Sequence, residues 1–297
     1  MTHAFCLAKE NDVEKIFKDP PREYRMLQII HGYYDRDLAK NYELLGYGGV
    51  VANVGFKNYL KSEEEWEIFL KCLADFRARG MVFWLYDEKG YPSGKAGGLT
   101  LQDHPEYEVL GVLCARTEGA GKLGHKMPAG ERIVGAPVSV IAAPIHDSRY
   151  DLSKKIDLTD QVRQGQSELV WNAPDGRWGI MSFHVNRMYE GTHCVANYSD
   201  TLPYINIMDR DAVARFIQLT HEAYRKRCGD ALWDYIQAIF TDEPSLMTLY
   251  LKKEEGLLPP IPWSRGFREE FRSRFGYDIL PELPHLFVDC GEGTVYT

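Results

Sequence analysis

Ile236-Gln237-Ala238-Ile239-Phe240-Thr241-Asp242-Glu243-Pro244-Ser245 is a short apolar run that ends in two adjacent carboxylates and a proline. Its length and continuous hydrophobicity predict a buried parallel strand, covered on both faces. Pro244 has no amide hydrogen for a ladder, so the strand stops before it. Asp242 and Glu243 therefore stand at the carboxyl end of a buried strand. Barrels of alternating strands and helices place their chemistry at that end. Adjacent strand residues point to opposite sides, so one acid faces the mouth and the other anchors the loop. An acid buried beside aromatics holds its proton at neutral pH and can act as a general acid. Spacing alone favours a plainer reading, in which a strand-end acid caps the following turn.

Upstream, residues 26–31, 49–54 and 81–86 read as three further strands. Asp35 or Asp37 is placed to cap a helix bearing Leu38, Tyr42 and Leu45, with Gly46 at its end. Ser62-Glu63-Glu64-Glu65 is a capping box, followed by Trp66, Phe69, Leu70, Leu73 and Phe76 on one helical face and Gly80 as the stop. This alternation predicts parallel strands with right-handed crossovers, side by side in the order 26–31, 49–54, 81–86 and 236–241. The third strand also runs into an acid pair, in Asp87-Glu88-Lys89-Gly90-Tyr91-Pro92-Ser93-Gly94-Lys95-Ala96-Gly97-Gly98. The loop lacks the Gly-Lys-Ser/Thr ending of a Walker A motif. Its glycines suit a tight turn or a close backbone approach to a ligand, and a turn-rich connection explains the spacing as well.

From residue 104 to 206 the helical period disappears. Residues 107–114, 138–142 and 179–185 are candidate strands, and Ala173-Pro174-Asp175-Gly176 reads as a hairpin turn between Trp171 and Trp178. His184 and His193 lie here and read as core or surface histidines. Asp209 or Asp211 then starts a helix with Val213, Phe216, Ile217, Thr220 and Tyr224 on one face, ending near Gly229. Ser264 is placed to cap a helix bearing Phe267, Phe271 and Phe275, stopped by Gly276. The expected fold is α/β, a partial (β/α)8 barrel of about four βα units with a β-rich insertion after strand three. Residues 1–103 form its first part, 104–206 the insertion, and 207–297 the continuation of the barrel through a helix, strand four and a helix. A complete barrel needs about 250 residues without insertions. Half a barrel exposes apolar strand edges, so self-association is expected if the chain ends at Thr297.

A net charge of −8 argues against a nucleic-acid or anionic-membrane partner. No apolar run suits a bilayer, and the first residues lack the basic and apolar regions of a signal peptide. Six scattered cysteines without a Cys-x-x-Cys pair fit reduced thiols in a cytoplasmic protein.

Trp84-Leu85-Tyr86-Asp87-Glu88-Lys89-Gly90-Tyr91-Pro92-Ser93-Gly94-Lys95-Ala96-Gly97-Gly98 resembles a signature of large bacterial glycoside hydrolases of the α-L-rhamnosidase type, glycoside hydrolase family 106 and its relatives. Phe240-Thr241-Asp242-Glu243-Pro244 resembles their strand-four acid motif. Phe271-Arg272-Ser273-Arg274-Phe275-Gly276-Tyr277-Asp278, followed by Leu283-Pro284, also looks like theirs. The resemblance implies a (β/α)8 barrel with a β-rich insertion and a carbohydrate substrate. It implies Glu243 as general acid/base and Asp87, Glu88 and Tyr91 as a sugar-binding loop. Trp84, Asp242, Asn53 and His31 complete the candidate substrate-binding set. Members of the family are much longer, so the second carboxylate that glycoside hydrolysis needs is expected beyond this chain. The alternative is a carbohydrate-binding fragment without catalysis. A metal-dependent hydrolase is disfavoured because His31 stands without a second histidine at the strand ends. No cofactor is expected, and no spacing indicates calcium, though the acids are compatible with it.

Overall fold

The computed structural model describes residues 10–32, 37–188, 203–246 and 257–291. Asp35, His193, Cys6 and Cys194 lie outside these residues. The chain divides into two compact units, residues 1–100 with 214–244, and residues 101–213 with 245–297.

The first unit holds four parallel strands, β1 (Leu27–His31), β2 (Gly49–Asn53), β3 (Val82–Tyr86) and β9 (Ala238–Phe240), side by side in that order. Ile29 pairs with Val51, Val51 with Trp84, and Trp84 with Ala238, so the register runs straight across the sheet. The neighbour order matches the order expected from the alternation of strands and helices. β9 is shorter than the apolar run. Ile236 N donates to Trp233 O in the turn before it, and the Gln237 side chain accepts from Phe83 N. Gly49 is required by closeness, because a Cβ there would lie 1.8 Å from the Val82 carbonyl oxygen.

Helices pack on one face of this sheet. In α3 (Glu63–Ala78), Trp66, Phe69, Leu73 and Phe76 meet Val50, Ala52, Phe83 and Leu85. Ser62 Oγ accepts from Glu65 N at 3.3 Å, the first half of the capping box, while the Ser62 amide bonds to Asn58 O. Asp37 occupies the cap position of α2 (Leu38–Leu44) without a side-chain bond to its first turn. A further helix, α1 (Glu10–Lys18), lies in the stretch before β1.

The helix expected from Asp209 begins as α4 (Arg210–Ile217), with Asp209 Oδ1 accepting from the amides of Asp211 and Ala212. It passes through a π turn at Gln218–Glu222 into α5 (Ala223–Trp233). Gly229 takes φ 64° but does not end the run, which continues to Trp233.

The second unit is antiparallel. Its sheet has the order β10-β4-β8-β5-β6, with β7 also on β5. The strands are β4 (Leu110–Lys126), β5 (Ser139–His146), β6 (Arg149–Tyr150), β7 (Ile156–Asp157), β8 (Glu168–Arg187) and β10 (Leu257–Trp263). The expected turn at Pro174-Asp175-Gly176 does not reverse the chain. Ala120 pairs with Arg177 and Lys122 with Asn172, so residues 173–176 bulge opposite Gly121 inside one long ribbon. Trp171 and Trp178 flank the bulge edge to face, 5.4 Å apart.

β10 pairs with β4, so among the described residues the chain after Pro244 groups with this unit. Helix α6 (Phe267–Phe275) is capped by Gly266 rather than Ser264, and Gly276 ends it in the left-handed region. Near the start and finish of the stretch between Leu101 and Val213, Asn206 N donates to Tyr107 O and Val109 N to Tyr204 O. Ser182 Oγ bridges two buried histidines, 2.7 Å from His125 Nε2 and 2.9 Å from His184 Nε2. Burial pushes both imidazoles down to about 4.

Candidate active site

Parallel strands in register bring their carboxyl ends to one edge. His31 closes β1, Asn53 closes β2, Tyr86 closes β3, and Thr241, Asp242 and Glu243 follow β9. Phe83 and Leu85 point to the helices, so Tyr86 points to the opposite face. Its hydroxyl donates to Asp242 Oδ2 at 2.6 Å. The hydroxyl also contacts Gly90 O. The Tyr86 ring lies edge-on to His31 at 4.9 Å and against Phe240 at 5.4 Å. Burial, reinforced by the Asp242 carboxylate, raises the Tyr86 phenol above its ordinary range. Burial lowers the His31 imidazole, opposed by a hydrogen bond with Asn53 and by the Asp242 charge. His31, Asn53, Tyr86 and Asp242 thus form a connected polar row across four neighbouring strand ends. Trp84 shares the Tyr86 face but sits two residues, about 7 Å, back from the edge.

Asp87 and Glu88 are fully buried, and their oxygens are occupied by the protein itself. Asp87 accepts from Ser93 Oγ at 2.6 Å, Thr241 Oγ1 at 2.7 Å and His221 Nε2 at 3.1 Å. Glu88 Oε1 accepts from the amides of Lys89 and Gly97, at 2.7 and 2.6 Å. Its Oε2 accepts from Gly94 and Ala96, at 3.1 and 2.7 Å. Burial pushes the Glu88 carboxyl up, and the amides of Gly97, Lys89 and Ala96 pull against that shift. Every one of these contacts is a donor, so the loop is built around the ionised form. The close backbone approach expected of the glycine-rich loop is made to an internal carboxylate. Asp87 and Glu88 thus hold the loop that carries Tyr91.

Asp242 joins this row. Its carboxylate meets Tyr86, and its main chain holds the loop: Asp242 N donates to Ser93 Oγ and Asp242 O accepts from Ser93 N, both at 2.8 Å. Glu243 comes next, exposed, at φ 38°. A non-glycine residue held there costs on the order of 1–3 kcal/mol, and such strain collects at functional sites. Tyr91 OH donates to Glu243 Oε2 at 2.6 Å.

Tyr86, Ser93, Thr241 and His221 escaped the sequence reading. Ser93 and Thr241 stood beside the acids as hydroxyl donors, a local signal. His221 had none, because the π turn that presents it appears only in the folded helix. Among the described residues no three His, Cys, Asp or Glu side chains gather as a metal site, and no helix is long and apolar enough to cross a membrane.

Polar groups collected at the carboxyl edge of a parallel sheet mark that edge as the candidate site of this α/β protein. The chain belongs to glycoside hydrolase family 106, whose model, described as alpha-L-rhamnosidase, matches residues 137–292, more than half of its length. The matched stretch contains Asp242 and Glu243 but not the Asp87-Glu88 loop. A rhamnosidase from Novosphingobium sp. PP1Y has a similar fold, with a TM-score of 0.50 at 12% identity. The similarity covers 92% of this chain and 42% of that one, so the chain spans less than half the length of that rhamnosidase. No curated protein matches the chain.

Proposed function

We propose that this chain supplies about the first half of a (β/α)8 glycosidase barrel and contributes Glu243 as general acid/base in the hydrolysis of O-glycosidic bonds, with α-L-rhamnosides as the first substrates to test. The observation that carries this reading is the state of Glu243, an exposed carboxylate at the strand ends, held at φ 38° and met by a phenol. His31, Asn53, Tyr86 and Asp242 form the polar floor against which a sugar would lie. The second carboxylate comes from sequence outside this chain, in line with the greater length of the Novosphingobium rhamnosidase. β1 and β9 each pair on one side only among the described residues, and Ile29 and Ile239 are 42% and 38% exposed. Such edges suit further strands or a second copy of the chain. Cys72, Cys114 and Cys228 are free and buried, which fits the reducing cytoplasm of a bacterial cell.

Replacing Glu243 with Gln in the full-length protein tests the assignment. A general acid contributes about 10²–10⁴-fold, so hydrolysis of alkyl glycosides should fall by that factor. Activated aryl glycosides, which need little protonation, should lose far less. Equal losses on both would sink the assignment. A second reading is favoured by the consumption of Asp87 and Glu88 in the fold. With those two buried, this chain alone would bind sugar without cleaving it, and titration with rhamnose and rhamnosides distinguishes that outcome.

A further inference from the structure

Tyr91 and Glu243 belong to two segments that one serine ties together. Ser93, two residues after Tyr91, bonds both the amide and the carbonyl of Asp242, the residue before Glu243. The rest of the Tyr91 loop is pinned by the amides of Lys89, Gly94, Ala96 and Gly97 on Glu88. The phenol therefore reaches Glu243 Oε2 from a frame fixed on both sides. We infer that Tyr91 is a positioning residue for Glu243: it stays on Oε2 through the reaction and so assigns the transferable proton to Oε1. This rests on the reading of Glu243 as general acid/base.

A phenolic O–H donates to one carboxyl oxygen whether or not the other carries a proton, so Tyr91 remains the donor in either state of the acid. A proton on Oε2 would confront the phenolic O–H, whereas a proton on Oε1 leaves that hydrogen bond intact. In the first step the Oε1–H bond breaks and the proton joins the glycosidic oxygen. The bond from that oxygen to the anomeric carbon breaks, and its electron pair goes to the departing oxygen. Water then supplies the new substituent, and one of its protons returns to Oε1. Tyr91 neither gains nor loses a proton. The phenol also gives an exposed side chain a single direction, which an acid must have to meet a leaving oxygen in hydrogen-bond range.

The test is kinetic, on the full-length protein, with alkyl and nitrophenyl α-L-rhamnosides. Tyr91→Phe should lower kcat about tenfold on the alkyl glycoside and leave kcat on the nitrophenyl glycoside and both KM values within about twofold. Combined with Glu243→Gln, it should add no further loss on the alkyl glycoside, since both changes remove one function. Equal losses on the two substrates, a rise in KM alone, or additive losses in the double variant would each overturn the positioning role. If Glu243→Gln itself acts equally on both substrates, the parent reading falls. If Glu243→Gln behaves as an acid variant and Tyr91→Phe does not discriminate, only this inference falls.

Discussion

Two acid pairs close two neighbouring strands, and the fold treats them in opposite ways. Asp87 and Glu88 follow β3 and vanish into the protein, each surrounded by donors. Asp242 and Glu243 follow β9 and divide, the first turned to Tyr86 and the second exposed beside Tyr91. The same two-letter pattern thus builds a support in one place and a presented group in the other. What separates them is the chain that follows. A glycine-rich loop can wrap its amides round a carboxylate, whereas Pro244 offers none.

The sharpest way to break this contrast is Glu88→Ala. It strands four amides in a buried loop, and at about 1–3 kcal/mol for each orphaned donor it should cost at least 4 kcal/mol in urea unfolding. A loss below 1 kcal/mol would show that the loop does not depend on the acid. Acidification adds an effect from the second unit. His125 and His184 are held neutral, at about 4 against an ordinary value of 6.5. The unfolded chain therefore binds more protons between those values. Stability should be fully present above pH 6.5 and fall as pH drops toward 4, by on the order of 3 kcal/mol per histidine. Urea midpoints measured from pH 7 to 4.5 would record it, and His184→Gln should flatten the slope. Asp87→Asn comes third. An amide cannot accept from Ser93, Thr241 and His221 together, so the variant should lose about 2 kcal/mol by the same measurement. The smallest effect has the opposite sign. Glu243→Gly relieves the positive φ and should raise stability by up to about 1 kcal/mol while removing the proposed acid. A clear destabilisation would mean that the exposed carboxylate also supports the fold.

The parallel sheet was legible because its strands are short, apolar and separated by a strongly patterned helix. Trp66, Phe69, Leu73 and Phe76 sit on the face that their spacing implies. The burial of Glu88 was not legible, since it depends on amides up to nine residues away folding back, and that of Asp87 rests on His221 and Thr241, 134 and 154 residues further along the chain. Pro174-Asp175-Gly176 carries real turn chemistry, but ribbon pairing on both sides turned it into a bulge. β10 hid behind Pro259, Pro260 and Pro262, which argue against a central strand. It lies at the end of the sheet order, where missing donors cost little. Within the candidate site, Glu243, Tyr91, His31 and Asn53 were found at strand ends or in the loop after β3. His221 was hidden by the same distance in sequence that hid the fate of Asp87.

The pairing of Tyr107 with Asn206 bears on how the chain reaches its fold. β3 and β9 are neighbours in the sheet yet lie roughly 150 residues apart in sequence. Contacts of such long range are slow to form, because the loop must close before any bond repays it. Once the intervening antiparallel strands have folded, the hydrogen bond from Asn206 N to Tyr107 O short-circuits about 100 of those residues. By the logarithmic dependence of loop entropy on length, this lowers the closure cost of the β3–β9 pair by about 1 kcal/mol. The insertion thereby acts as a molecular shortcut, letting the last parallel strand find its neighbour across a much smaller gap than the chain length suggests.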